Sequence, residues 1–144
     1  MTNLTTKLMI AAAAFVAVAG VASAESMEAK IPFAFRASGK VLAPGTYRVR
    51  VDRGTSGVPV IFIGSREPGQ QALAVPFASG SAKKDWTSAG TALLSFECGV
   101  GRCALNQVWM GDGGSPVYKL HVPSLGKDEP RHVTEIVMHS VKAD

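Results

Sequence analysis

This chain has few residues of the kinds that carry catalysis or bind metals. Its 144 residues include two cysteines and three histidines. No glycine-rich phosphate loop and no Gly-x-Ser-x-Gly elbow is present, although a catalytic triad assembled from distant residues is not excluded by sequence. We therefore expect a protein that is not an enzyme and that uses neither a cofactor nor a metal. A small hydrolase is the least favoured alternative.

Charge is also sparse. The chain has 15 Lys and Arg against 11 Asp and Glu, a formal net charge of +4. The only basic pair is Lys83-Lys84, and no stripe of basic residues interleaves with aromatics as a nucleic-acid surface requires. The composition predicts a mildly basic solvated surface that does not bind nucleic acid.

A long hydrophobic run occurs only at the N-terminus. Lys7 precedes an apolar run over residues 8–21, and the Ala-Ser-Ala of residues 22–24 has small residues at the positions that a signal peptidase reads. This pattern predicts a signal peptide over residues 1–24, followed by a single all-β domain over residues 25–144. We expect an exported protein, periplasmic or extracellular.

A transmembrane anchor is the competing interpretation of that run. Residues 8–24 number 17, at the short edge of what a bilayer span requires, and no basic cluster follows them. No cysteine directly follows Ala24 to carry a lipid anchor, and no arginine pair precedes the run. We therefore expect no stable membrane span after cleavage.

Beyond the leader, apolar and polar residues alternate with a period of two. Residues 30–36 and 46–53 each place three apolar side chains on one face, which predicts half-buried strands. Pro44-Gly45 predicts a type II turn between them. Residues 58–63 are apolar almost throughout, which predicts a strand covered on both faces. The predicted inward-facing side chains of the first two strands are Ile31, Phe33, Phe35, Tyr47, Val49 and Val51.

Turn signals separate the remaining β-rich runs. Residues 78–90 have no apolar period and predict a long loop. About seven to eight short strands without an amphipathic helix predict an all-β fold, either a single antiparallel β-sandwich or a small barrel. The further predicted strands are residues 70–77, 91–98, 103–110, 116–122 and 131–141, of which the second and third form a hairpin.

Three segments carry a resemblance to a family. The first is Ile-Pro-Phe-Ala-Phe at residues 31–35, the second is Gly-Lys-Val-Leu-Ala-Pro-Gly-Thr-Tyr-Arg-Val at residues 39–49, and the third is Asn-Gln-Val-Trp at residues 106–109. Together they resemble small exported β-proteins of unassigned function found in acidobacterial genomes, which pair a PFxF strand with a GKxLPAGxYxV turn and later carry Gln-Val-Trp. Here Ala43-Pro44 stands where Pro-Ala is expected. The resemblance implies export and an all-β fold, and it implies no catalytic residue.

The two cysteines flank the predicted hairpin loop. Directly opposite residues of an antiparallel pair approach closely enough for a disulfide, so in an oxidising compartment we expect Cys98 and Cys103 to be bridged. A redox-active pair is the alternative, but a hairpin lacks the helix N-terminus that lowers the pKa of a thiol.

Histidines suggest a metal site only if the C-terminal run is helical. His132, Glu135 and His139 would share one face of a helix. The β-branched residues around them favour a strand instead, which separates His132 from Glu135 and predicts no metal site.

Trp86 is the best binding residue that the sequence offers, because it lies in the predicted loop. With Lys83, Lys84 and Asp85 it forms a candidate surface for an envelope protein or a glycan. In the alternative, Trp86 folds back over the open end of the domain, whereas Trp109 belongs to the core. We expect a binding or interaction module; the alternative is a carrier of a small apolar ligand, which needs an internal pocket of roughly 300 Å³ or more.

Overall fold

The computed structural model describes residues 26–112, 114–123 and 130–141. These residues form mainly β-strands in two sheets, which confirms the all-β prediction. The predicted signal peptide, residues 1–24, lies outside the described residues. In chain order the strands are β1 (Ser26–Ile31), β2 (Phe35–Ala37), β3 (Lys40–Leu42), β4 (Gly45–Arg53), β5 (Pro59–Gly64), β6 (Gln71–Ala74), β7 (Ala78–Gly80), β8 (Leu93–Gly99), β9 (Arg102–Trp109), β10 (Val117–Lys119), β11 (His132–Val137) and β12 (His139–Ser140), and helix α1 (Lys84–Ala89) lies between β7 and β8.

The first sheet, sheet I, has the strand order β12-β1-β4-β5-β6 with every neighbouring pair antiparallel. The second, sheet II, has the order β11-β8-β9-β10-β7. The hairpin β2–β3 joins sheet II through one parallel bridge, Arg36 to Ala104. Over the described residues neither sheet closes on itself, so the small barrel, one of the two predicted architectures, is not found.

One core is built from the inward faces of both sheets. Tyr47 and Val49 of sheet I are buried there, as the alternation predicts, and Val51 is half-buried. The ring of Phe35 packs edge-on against Tyr47 and Phe96, with centroids 5.2 and 5.4 Å apart. Burial of these large apolar side chains is the dominant stabilising term.

The predicted strand over residues 30–36 is divided in two. Ile31 ends β1 and Phe35 begins β2, and Phe33 between them still packs against the core. Pro32 has no backbone N–H to donate to a ladder, so the chain leaves sheet I there. The predicted apolar face is confirmed, whereas its continuous strand is wrong.

The predicted type II turn at Pro44-Gly45 is also wrong. Gly45 is the first residue of β4, where it pairs with Ile31, and its φ is not positive. The positive-φ turn lies earlier, at Ser38 (φ 52°) and Gly39 (φ 79°), where it joins β2 to β3. A proline-glycine pair therefore marked a strand start instead of a turn.

Strand β5 is covered less fully than its apolar sequence predicts. Ile61 and Ile63 are buried, but Phe62 on the other face is half-buried, and Val58 before the strand is exposed. The next predicted strand, residues 70–77, is shorter in the structure: β6 keeps the alternation, with Ala72 inward and Leu73 outward.

Residues 78–90 are not the predicted loop. They contain β7, which pairs with β10, and α1, which ends at Gly90 in the left-handed conformation. The six-residue helix buries a single side chain, Trp86, so it leaves no 3.6-residue apolar period in the sequence.

The predicted C-terminal elements are found. Strands β8 and β9 form the hairpin, and β10 lies in the predicted run 116–122. The last run is divided at Met138: β11 pairs with β8 in sheet II, and β12 pairs with β1 in sheet I. The final segment therefore connects the two sheets.

Candidate functional site

The tryptophan expected to be a binding residue is buried. Trp86 is 4% exposed. Its ring stacks on Trp109 at 6.2 Å, and its Nε1 donates a hydrogen bond to Glu135 Oε1 at 3.1 Å. The exposed indole on which the binding interpretation depends is therefore absent, and the position matches the alternative in which the indole covers the domain.

The other three residues of that candidate surface are exposed. The Lys83 ammonium lies 5.5 Å from the centroid of the Trp86 ring, within range of a cation–π contact. Lys84 and Asp85 lie in the first turn of α1. The structure brings Lys83 and Trp86 together and leaves a small charged surface over a filled interior.

Trp109 lies under the helix and is 1% exposed, as predicted for a core residue. With Trp86, Leu93 and Val117 it forms a second apolar cluster on the outer face of sheet II. Helix α1 is therefore a cover for that face.

The cysteines form the predicted bridge. Cys98 and Cys103 are directly opposite in the β8–β9 hairpin, with Cα atoms 4.1 Å apart and the sulfurs bonded. Cys98 is buried, and its sulfur lies 3.8 Å from Thr134 Oγ1 on β11. The bond fixes the end of the hairpin next to the edge strand.

The histidines are separated by the strand geometry. His132 is opposite Cys98 in sheet II, whereas His139 is opposite Glu28 in sheet I. Glu135 holds the indole of Trp86. Within the described residues, no group of three or more His, Cys, Asp and Glu side chains is placed to hold a metal ion.

The sequence analysis missed a groove on the surface of sheet I. It has a volume of about 800 Å³ and lies where β4 begins and β5 ends. One wall is the connection Ala43-Pro44, and the other is the turn over residues 65–70. We call it the sheet I groove.

Hydrogen bonds hold both walls of the groove. Tyr47 Oη donates to the carbonyl oxygen of Ala43, and the Ala43 N–H donates to Gln70 Oε1 at 2.8 Å. Within the turn, the Ser65 N–H donates to the Gln70 carbonyl at 2.9 Å. A groove whose walls are bonded to each other is preformed, which reduces the entropy lost on binding.

Charges of both signs line the groove. Arg48 and Arg66 supply donors, and Glu28 and Glu67 supply acceptors. These four residues are exposed and balance in charge. The buried Tyr47 phenol beneath them has a raised pKa because burial disfavours its charged form, so it is neutral at physiological pH. The surface suits a ligand that is rich in hydrogen-bonding groups and carries little net charge.

An aromatic ring borders the polar groove. Phe62 is half-buried, and the Arg50 guanidinium lies 5.0 Å from its ring centroid. Arg50 Nε is 3.1 Å from Asp52 Oδ2. Beside Phe62, Leu73 on the edge strand is 61% exposed. The outer face of sheet I therefore combines an apolar patch with a polar groove.

The sequence contained part of the information that locates this groove. The alternation of β4 predicted Arg48 and Arg50 on the solvent side, and both lie on the outer face of sheet I. The walls come from segments 27 residues apart, joined by the Ala43–Gln70 bond, and no short motif reports such a pairing.

Comparisons with known proteins identify no family for this chain. The chain matches no protein-family model, and no curated protein or solved structure matches it. The resemblance to the acidobacterial β-proteins stays a prediction. Among the described residues, none of the helical structure is long and apolar enough to cross a membrane.

Proposed function

We propose that this chain is an exported, non-enzymatic β-sandwich module that binds a glycan of the cell envelope in the sheet I groove. The observation that carries the proposal is the preformed groove of about 800 Å³ with balanced charges. Sites for small ligands combine such a concavity with a few fixed polar groups. A neutral polyhydroxylated chain satisfies donors and acceptors together without leaving either charge unpaired.

Phe62 supports a saccharide over an extended apolar peptide. Its half-buried ring at the groove offers a flat apolar surface next to hydrogen-bonding side chains, and the Arg50 guanidinium lies 5.0 Å from its centroid. The groove is lined mainly by polar and charged side chains, so it offers a peptide no row of apolar subsites.

The carrier of an apolar ligand has less support. Between the sheets, Phe33 and Phe35 both pack edge-on against Phe96, with centroids 5.0 and 5.4 Å apart. Rings at this spacing leave no room between them for a ligand. The groove, by contrast, is open to solvent.

The test is retention of the protein over residues 25–144 on insoluble polysaccharides: peptidoglycan sacculi, chitin and cellulose. We expect retention on at least one, reduced about tenfold or more in the double variant Arg48→Ala, Arg66→Ala, because both charged donors are lost. The matched control is Lys83→Ala, Lys84→Ala, which removes the same charge at the N-terminal end of α1.

Three outcomes would contradict the proposal. If the groove variant is retained as well as wild type, the groove is not the binding site. If only the control variant loses retention, the binding site is the surface of Lys83, Lys84, Asp85 and Trp86, as the sequence predicts. Retention on none of the three polysaccharides would refute envelope glycan binding.

A further inference from the structure

Every methionine beyond the predicted leader lines one pocket. The chain has five methionines, of which Met1 and Met9 belong to residues 1–24. The other three, Met27, Met110 and Met138, line a pocket of about 330 Å³ at the junction of the two sheets. The three come from parts of the chain far apart in sequence.

Backbone contacts around Ala92 bring these residues together. The Met138 N–H donates to the Ala92 carbonyl oxygen at 2.8 Å. Gly111, next to Met110, approaches Ala92 so closely that a Cβ there would lie 2.7 Å from the Ala92 nitrogen. Two of the methionines are therefore held on either side of one residue.

Strand pairing supplies the third methionine. Met27 on β1 is directly opposite Ser140 on β12, and Ser140 Oγ lies 3.8 Å from Met27 Sδ. Ser140 also lines the pocket, so this contact joins two residues of the pocket wall. The side chains of Met27, Met110 and Met138 are 7%, 8% and 2% exposed.

The three methionines belong to the hydrophobic core and also line this pocket. Methionine fills irregular gaps in many cores, but the rest of this core is built from aliphatic and aromatic side chains such as Ile63, Leu94 and Phe96. The methionine pocket also has a polar rim that includes Asp112 and Ser140. Methionines that only fill a gap in the core do not require polar residues at its edge.

We propose that Met27, Met110 and Met138 form a binding site for a soft monovalent metal ion, Cu(I) or its analogue Ag(I). Thioether sulfur is a soft ligand that selects Cu(I) over the harder divalent ions. The stronger soft ligand, thiolate, is not available, because both cysteines of the chain are in the disulfide. His139 also lines the pocket, but it alternates with Met138 and Ser140 along the chain and stands opposite Glu28 in the strand register, so we take the three thioethers as the ligand set.

The ligand chemistry has a testable consequence. A thioether carries no proton near neutral pH, whereas metal affinity at histidine or cysteine falls as these ligands are protonated. The affinity of this site for Ag(I) should therefore change little between pH 5 and pH 8.

The experiment uses the bridged protein over residues 25–144 and titrates it with Ag(I), following the methionine ε-methyl resonances by NMR. We expect one equivalent to shift all three signals. Each single Met→Leu variant should weaken Ag(I) binding by about tenfold. Competition with a colorimetric Cu(I) chelator then gives the Cu(I) affinity. Leucine nearly conserves volume, and the variant Leu94→Met is the control for the effect of core substitution.

The proposal is overturned if Ag(I) leaves the three ε-methyl signals unmoved, or if Met138→Leu binds Ag(I) as tightly as wild type. It is equally overturned if the affinity falls more than about tenfold from pH 8 to pH 5, since that assigns the ion to His139. The NMR signals of wild type decide the matter even where a variant does not fold.

Discussion

Replacing Trp86 by alanine tests whether α1 is a structural cover. The side chain is 4% exposed and stacks on Trp109, so truncation removes a buried indole and should lower the free energy of unfolding by about 3–5 kcal/mol. Loss of the hydrogen bond to Glu135 accounts for only about 1 kcal/mol of this. The Glu135 carboxylate is exposed, so water replaces the indole N–H as its hydrogen-bond donor. For a domain of this size, the change corresponds to a melting temperature lower by roughly 10–20 °C.

The assay is thermal unfolding followed by circular dichroism, with two variants for comparison. Trp86→Phe keeps much of the packing and loses the hydrogen bond, so it should cost less than half as much. Leu73→Ala removes an apolar side chain that is 61% exposed and should cost less than about 0.5 kcal/mol. Trp109→Ala should be at least as destabilising as Trp86→Ala. A Trp86→Ala protein that melts within about 3 °C of wild type would refute the covering role and return the indole to the binding surface.

Three further changes test other parts of the fold. Replacing Cys98 and Cys103 together by serine should lower stability by about 2 kcal/mol and keep the fold, because the bridge closes a short loop; alkylation of two thiols in denatured, unreduced wild type would contradict the bridge. Burial raises the pKa of Tyr47 above its ordinary value near 10, so the fold favours the neutral phenol. That stability is present below pH 10 and lost as pH rises through the folded pKa; melting temperatures from pH 9 to pH 12 should therefore fall more steeply for wild type than for Tyr47→Phe, and parallel curves would contradict this. Gly111 and Gly57 both have positive φ, but only at Gly111 does a Cβ meet backbone, at 2.7 Å; in urea unfolding Gly57→Ala should cost about 1 kcal/mol and Gly111→Ala about 1–3 kcal/mol more, and equal costs would refute the close approach.

The strands were predictable where one face is buried and the other solvated. Tyr47, Val49 and Val51 alternate with arginines, and β4 follows that pattern. The disulfide was also predictable, because a short loop between two β-rich runs places Cys98 and Cys103 opposite each other. In both cases the structural cause lies within a few residues of sequence.

The candidate sites were not predictable in the same way. Helix α1 is held by one indole that contacts Trp109 and Glu135, and its own sequence has no helical period. The groove depends on the bond from Ala43 to Gln70, and the methionine pocket depends on the pairing of β1 with β12. These arrangements are tertiary, so neither composition nor spacing reports them.

The pairing of β1 with β12 also governs when the molecule can fold. Met27 and Ser140 are 113 residues apart in the chain, and β11 is the edge strand of the other sheet. Neither sheet is complete until residues 132–140 have left the ribosome. Long-range pairing of this kind slows folding, so both sheets are completed only after almost the whole chain has been synthesised.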